Sequence, residues 1–199
     1  METNEINELD LLEVLSTVAP LSLGYQERLR SQLRRQHHHS KTILLRPGEI
    51  CRRIYFVSRG LIRVYHIDSS GRERTIIFMG PGELAVDIAS FYDQIPATEY
   101  LETVQDTVIQ SLTWSELNAS YADFPEGNYI GRLMNQKYLI KAVNRNIELM
   151  TGNLQERYDS LLKNYPNIEQ QANQSQIASY LNISRETLSR LKSGQLRHR

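Results

Sequence analysis

The chain has 199 residues, of which 40% are hydrophobic and 23% charged, which suits one large soluble domain or two small ones. Cys51 is the single cysteine, which excludes an intrachain disulfide or a four-cysteine cluster, and no apolar run is long enough to span a bilayer. The acidic start Met1-Glu2-Thr3-Asn4-Glu5 lacks the basic and apolar regions of a secretory signal, so the expected location is the cytoplasm, without a membrane partner. Formal net charge is zero but segregated. Residues 1–27 carry six acidic side chains and no Lys or Arg, whereas residues 174–199 carry five basic ones against Glu186.

Residues 1–37 are expected to be helical, with Leu11, Leu12, Leu15 and Val18 before Pro20 and Leu21, Leu23, Leu29 and Leu33 after it. From Thr42 to Trp114 the pattern changes to short strands: 42–45, 54–57, 61–65, 74–79, 100–104 and 107–112. Turn residues such as Arg46-Pro47-Gly48-Glu49, Ser58-Arg59-Gly60, Asp68-Ser69-Ser70-Gly71 and Gly80-Pro81-Gly82-Glu83 separate them, the signature of a β-sandwich or roll. His37-His38-His39 is expected in a solvated loop at the helix-to-strand junction, since no Cys or spaced partner accompanies it. Cys51 beside Arg52 and Arg53 is expected to be a small filler residue, with a redox switch as the alternative. His66 is expected to face solvent from a strand, and Trp114 to pack where the roll meets the next helix.

After Pro125 the helical period returns. Tyr129, Leu133, Gln136, Ile140, Val143, Ile147 and Met150 follow spacings of four and three, the repeat of a helix that keeps one seam against another. A dimer seam over residues 127–150 is the favoured reading, and packing on the chain's own roll is the alternative. Thr151-Gly152-Asn153 breaks this helix, and Leu154 to Asn164 forms a short amphipathic one ended by Tyr165-Pro166.

The sharpest pattern runs from Gln174 to Lys192: two short helices around a tight turn. Ile177, Ala178, Leu181, Ile183, Leu188 and Leu191 have the spacing that packs one helix across the other, with the small Ala178 at their crossing. Asn182 suits a turn needing positive φ, Ser184 can cap the second helix, and Glu186 complements its dipole. Arg185, Glu186, Ser189, Arg190 and Lys192 then point outward, as a helix entering a DNA major groove requires.

In this order the segments resemble bacterial transcription regulators of the Crp/Fnr family. Arg46-Pro47-Gly48-Glu49, Tyr55 to Val64 and Gly80-Pro81-Gly82-Glu83-Leu84 look like successive corners of that family's cyclic-nucleotide-binding roll. Ser184-Arg185-Glu186-Thr187-Leu188-Ser189-Arg190 looks like its recognition helix. The resemblance implies an α+β fold with N-terminal helices and a double-stranded jelly-roll over 1–124, a dimerisation helix over 125–151 and an all-α helix-turn-helix domain over 152–199. It implies a homodimer on a palindromic double-stranded DNA operator. The site residues would be Ser175, Ser184, Arg185, Glu186, Thr187, Ser189, Arg190 and Lys192, with Arg185, Glu186 and Arg190 reading bases. Ser175 and Lys192 would contact phosphate, with Arg197 and Arg199 adding attraction. Members usually continue into a β-hairpin wing, whereas Ser193 to Arg199 offers only a short basic tail, so affinity is expected to be low or to need RNA polymerase as a further partner.

For the roll, the resemblance implies a ligand cassette that opens on Gly82-Glu83-Leu84 and ends on a pair at Ala97-Thr98. Ala97 stands where the family has the arginine that grips a cyclic phosphate, and Glu83 and Glu99 would repel an anion there. The pocket is therefore expected to be degenerate and cyclic-nucleotide binding weak, with no certain cofactor and no metal site. An effector, if present, is expected to act through a hinge at Thr151-Gly152-Asn153. No nucleophile elbow, phosphate loop or metal-ligand spacing points to an enzyme. The competing reading is a cyclic-nucleotide- or small-ligand-binding or interaction module that does not bind DNA.

Overall fold

The computed structural model describes residues 8–194, so the tail residues Arg197 and Arg199 lie outside the described residues. Two helices, α1 (Leu11–Val18) and α2 (Leu23–Gln32), precede eight strands: β1 (Arg34–His38), β2 (Ile43–Leu45), β3 (Arg53–Arg59), β4 (Ile62–Ile67), β5 (Glu73–Met79), β6 (Leu84–Ala85), β7 (Tyr100–Thr103) and β8 (Thr107–Thr113). A short helix α3 (Ile88–Asp93) interrupts the strands between β6 and β7. Then come α4 (Trp114–Asp123), the long α5 (Pro125–Thr151), α6 (Leu154–Asn164), α7 (Ile168–Gln171), α8 (Gln174–Tyr180) and α9 (Arg185–Lys192). The strands form two four-stranded sheets, β1-β8-β3-β6 and β2-β7-β4-β5, as expected of a jelly roll.

The chain divides into two compact units. Among the described residues, one runs to Val64 and takes in Phe78–Asn135; the other comprises Tyr65–Ile77 and 136–194. The first holds the roll apart from the outer part of the β4–β5 hairpin, and its fully buried residues include Phe56, Val57, Ile62, Phe78, Phe91, Leu101 and Ile109. Gln110 of β8 ties α1 to it, accepting from Leu11 N–H at 2.7 Å and donating to the Asp10 carboxylate at 2.7 Å. At the β3–β4 corner Gly60 has φ +99°, and a Cβ there would lie 2.5 Å from Thr107 Oγ1 and 2.7 Å from its Cα. Only glycine fits that corner.

Two features depart from the sequence reading. Residues 34–38 are a strand, registered from Arg34↔Ser111 to His38↔Thr107 on β8, because pairing overrides the helical tendency of an Arg- and Gln-rich stretch. Its polar side chains are mostly exposed, which suits a sheet edge. His37 and His38 are thus strand residues, and burial, followed by the neighbouring His37, lowers the pKa of His38. The break at Thr151-Gly152-Asn153 lies inside the second unit, where Glu148 of α5 accepts from the Ser160 hydroxyl of α6 at 2.6 Å and Arg145 donates to the Tyr180 carbonyl. One boundary between the units falls within α5, between Asn135 and Gln136.

Candidate nucleic-acid interface and the roll interior

In the second unit, α8 and α9 cross at a closed apolar core of Ile177, Ala178, Leu181, Leu188 and Leu191, all buried. Asn173 caps α8 in a reciprocal box with Gln176. Asn182 takes the left-handed conformation at φ 55°, and Ile183 N–H reaches the Ala178 carbonyl at 3.0 Å, closing the turn. Ser184 then caps α9 by accepting from Thr187 N–H at 3.1 Å, and its hydroxyl lies 3.1 Å from that of Thr187. With the core on one side, Arg185, Glu186, Ser189 and Arg190 are exposed on the other, together with Ser175 at the start of α8. Hydrogen bonds from its own backbone N–H and from the Ser184 hydroxyl hold the Glu186 carboxyl below its ordinary value, with Arg185 and Arg190 adding to the effect. Ionised at neutral pH, it is an acceptor for a base amino group.

Lys192 is placed differently from the other basic residues. Its ammonium lies 2.6 Å from Glu169 of α7, whose carboxylate also accepts from the Tyr158 hydroxyl at 2.7 Å. Lys192 is exposed, and this surface ion pair links α9 to α7 while leaving part of the lysine side chain open to solvent. Arg145 serves the same unit from α5: its guanidinium lies 3.8 Å from the centre of the Tyr180 ring.

In the first unit, the cassette between β6 and β7 surrounds α3. Ala97 is buried, its backbone paired with Glu49 N-terminal to β3: Ala97 N–H donates to the Glu49 carbonyl at 2.8 Å, and the Ala97 carbonyl accepts from Gly48 at 2.9 Å. Thr98 is exposed. Glu83 turns back on its own corner, accepting from Gly80 N–H at 2.8 Å. Beside α3 the carboxylate that enters the interior is that of Asp87, at 4% exposure. One of its oxygens caps α3 through Ser90 N–H at 3.0 Å, and the other has no hydrogen-bond partner. Burial, and then the nearby Asp87, raise the pKa of Glu99. The buried Cys51 adjoins the same helix through its N–H to Ser90 Oγ at 2.8 Å, and burial pushes its thiol up, opposite to the shift a redox switch requires.

Residues 35–123 match the model of the cyclic nucleotide-binding domain. Among solved structures, FixK2 from Bradyrhizobium japonicum is similar with a TM-score of 0.71 at 19% identity, over 81% of this chain and 83% of that one. A transcriptional regulator of the Crp/Fnr family from Eubacterium rectale gives 0.71 at 20%, over 89% and 85%. The c-di-GMP-responsive global regulator CLP of Xanthomonas campestris gives 0.69 at 19%, over 87% and 92%. No curated protein sequence matches. The chain has the fold of a Crp/Fnr-family regulator.

Within that fold the cassette residues Asp87, Ala97, Thr98 and Glu99 are acidic or neutral. Asp87 escaped the sequence reading because Gly82-Glu83-Leu84 offered a more familiar acidic corner. The signal that could have found it is the Asp87-Ile88-Ala89-Ser90 helix start, an N-cap pattern inside a strand-rich stretch. A buried guanidinium does exist in the roll, on Arg63, but it bonds Glu102 across β4 and β7 at 2.7 Å from Nε and 2.6 Å from Nη2. Among the described residues no three His, Cys, Asp or Glu side chains group to hold a metal ion, and no helix is long and apolar enough to cross a membrane.

Proposed function

We propose that this protein is a non-enzymatic Crp/Fnr-family transcription regulator, which binds double-stranded DNA sequence-specifically as a homodimer through Arg185, Glu186 and Arg190 of α9. The observation that carries the reading is the outer face of α9: Arg185, Glu186, Ser189 and Arg190 stay exposed while Leu188 and Leu191 are buried, in a helix whose turn and cap are fully formed. An arginine forks onto guanine O6 and N7, and a glutamate accepts from the cytosine amino group. Ser175 and Ser184 lie at the two helix starts, where phosphate oxygens meet N–H groups and hydroxyls.

The homodimer is supported by α5. Tyr129, Ile140, Val143, Ile147 and Met150 are exposed, between 48% and 77%, whereas Ile130 and Met134 of the same helix are buried. Among the described residues these positions are left exposed, as a seam for a second copy would be. The roll is proposed to have lost the usual cyclic-phosphate grip, because Ala97 supplies no charge and Asp87 and Glu99 supply the wrong one.

Selection of duplexes from a randomised pool, followed by mobility-shift titration, tests the proposal. The intact chain should enrich a palindrome and lose affinity steeply between low and physiological salt. Arg190→Ala should weaken the selected site by roughly 1–3 kcal/mol and relax preference at one position of each half-site. An equal loss on every sequence would remove the base-reading role. Calorimetric titration with cyclic AMP or cyclic GMP should give no tight binding, and micromolar affinity for either would overturn the reading of the roll.

A further inference from the structure

We propose that the tip of the β4–β5 hairpin forms part of the DNA-binding surface, with Arg72 contacting the duplex backbone beside the start of α9. This rests on the DNA-binding reading above and adds a residue from outside the helix-turn-helix to it. The hairpin tip and the helices belong to one compact unit, and they are pinned together by one side chain. The Ser179 hydroxyl of α8 accepts from Thr75 N–H at 2.7 Å and donates to the Glu73 carbonyl at 2.8 Å. Because both partners are backbone groups of β5, this fixes where the strand lies along α8, whatever its side chains do.

The tip itself is stiff. Asp68 accepts from Ser70 N–H at 2.9 Å, the Ser70 hydroxyl at 2.5 Å, Arg72 N–H at 3.1 Å and Arg74 Nε at 2.8 Å. These bonds, led by those from Ser70 and Arg74, hold the Asp68 carboxyl well below the ordinary range, so it stays ionised. Arg74 is thereby spent inside the hairpin, and the exposed Arg72 is the cation the tip projects.

Between tip and helices lies a groove of about 380 Å³, lined by Arg72, Glu73 and Arg74 on one side and by Ser175, Ser184 and Arg185 on the other. The last three stand at the starts of α8 and α9. In a docked helix-turn-helix the first helix crosses the DNA backbone while the start of the second enters the major groove, so the strand of the duplex passing that point is phosphate and sugar. Arg72 and Arg185 flank it with exposed guanidinium groups, against the single carboxylate of Glu73 in the lining. The hairpin borders the reading face without covering it: Ser175, Arg185, Glu186 and Arg190 are exposed with the tip in place.

The test measures binding of the full-length chain to its selected duplex by fluorescence anisotropy across a salt series, for the parent, Arg72→Ala, Arg72→Glu, Ser179→Ala and Arg185→Ala. Because each copy of the dimer loses one phosphate contact, the two losses together should flatten the slope of log affinity against log salt by about 1.8, with a loss of roughly threefold or more in affinity at low salt and no change in sequence preference. Arg72→Glu should lose more than Arg72→Ala. Ser179→Ala should lose affinity in the same direction although Arg72 is intact, with circular dichroism checking that each variant folds. Parental affinity and slope in both Arg72 variants, while Arg185→Ala binds less well, would overturn this inference and leave the DNA-binding reading standing. Tighter binding by Ser179→Ala would also overturn it, since the tip would then be a cover. A parent without salt dependence or sequence preference would instead sink the reading on which it rests.

Discussion

Inside the roll, the Arg63 and Glu102 side chains are nearly shut off from water, with 4% and 11% of their surface exposed, and each is the other's charge partner. Desolvating both ions costs nearly as much as their attraction returns, so the pair adds little net stability while making each member dependent on the other. Glu102→Ala, which leaves a buried guanidinium without its carboxylate, should therefore destabilise the protein by about 3–5 kcal/mol in urea unfolding. Arg63→Met combined with Glu102→Leu should recover most of that loss. Glu99 presents the opposite case, an acid whose neighbourhood disfavours its charge, first through burial and then through Asp87. Its folded pKa lies above the unfolded one, so folding takes up a proton and stability falls as pH rises from the ordinary glutamate range through the raised value. Glu99→Gln removes that slope. The variant and parent should unfold alike at pH 4, and the variant should be the more stable at pH 7, by denaturant midpoint.

At the scale of elements, α9 is held by a small apolar set, and Leu188 at its centre is fully buried. Leu188→Ala should cost about 2–5 kcal/mol in the stability of the helix-turn-helix and abolish duplex binding, with hydrogen exchange localising the loosening to α8 and α9. These helices were legible in the sequence because local chemistry and tertiary packing agree there: Ser184 caps, Asn182 turns, and Ile177, Ala178, Leu181, Leu188 and Leu191 are all buried. Most strands were legible for the same reason, since glycine or proline marks many of their corners and continuous buried runs, such as Phe56 to Ser58 and Thr107 to Leu112, lie between them. Where the two disagree the sequence misleads. Arg34–His38 has no strand pattern of its own and exists because β8 offers a ladder. The helices α3 and α7, six and four residues long, are too short to display a period. Side-chain direction was the least legible feature, as Glu83 and Lys192 show. Each has the right residue type at a plausible position, yet Glu83 accepts from Gly80 of its own corner and Lys192 pairs with Glu169 of α7, contacts that residue type alone does not announce.

At the scale of the whole molecule, the proposed regulator needs two copies, because a single helix-turn-helix reads one half-site. Linking two binding modules makes the second contact intramolecular and raises affinity by about 10²–10⁴ without any new interaction, provided the spacing permits both. The part of the chain available for the link is the exposed stripe of Ile140, Val143, Ile147 and Met150 on α5, whose spacing of three, four and three residues matches a coiled seam. Ile140→Asp with Ile147→Asp places two carboxylates in that seam and leaves the buried residues of both compact units unchanged. The double variant should sediment as a monomer and keep its circular dichroism. It should lose about a hundredfold or more in affinity for the palindrome, while binding an isolated half-site as the parent does. Half-site spacing gives the independent check. Inserting half a helical turn between the half-sites puts them on opposite sides of the duplex, so the parent should lose the linkage advantage and the variant should be indifferent. A parent that tolerates the insertion would show that the two recognition helices are not rigidly coupled through α5, even if the protein is a dimer.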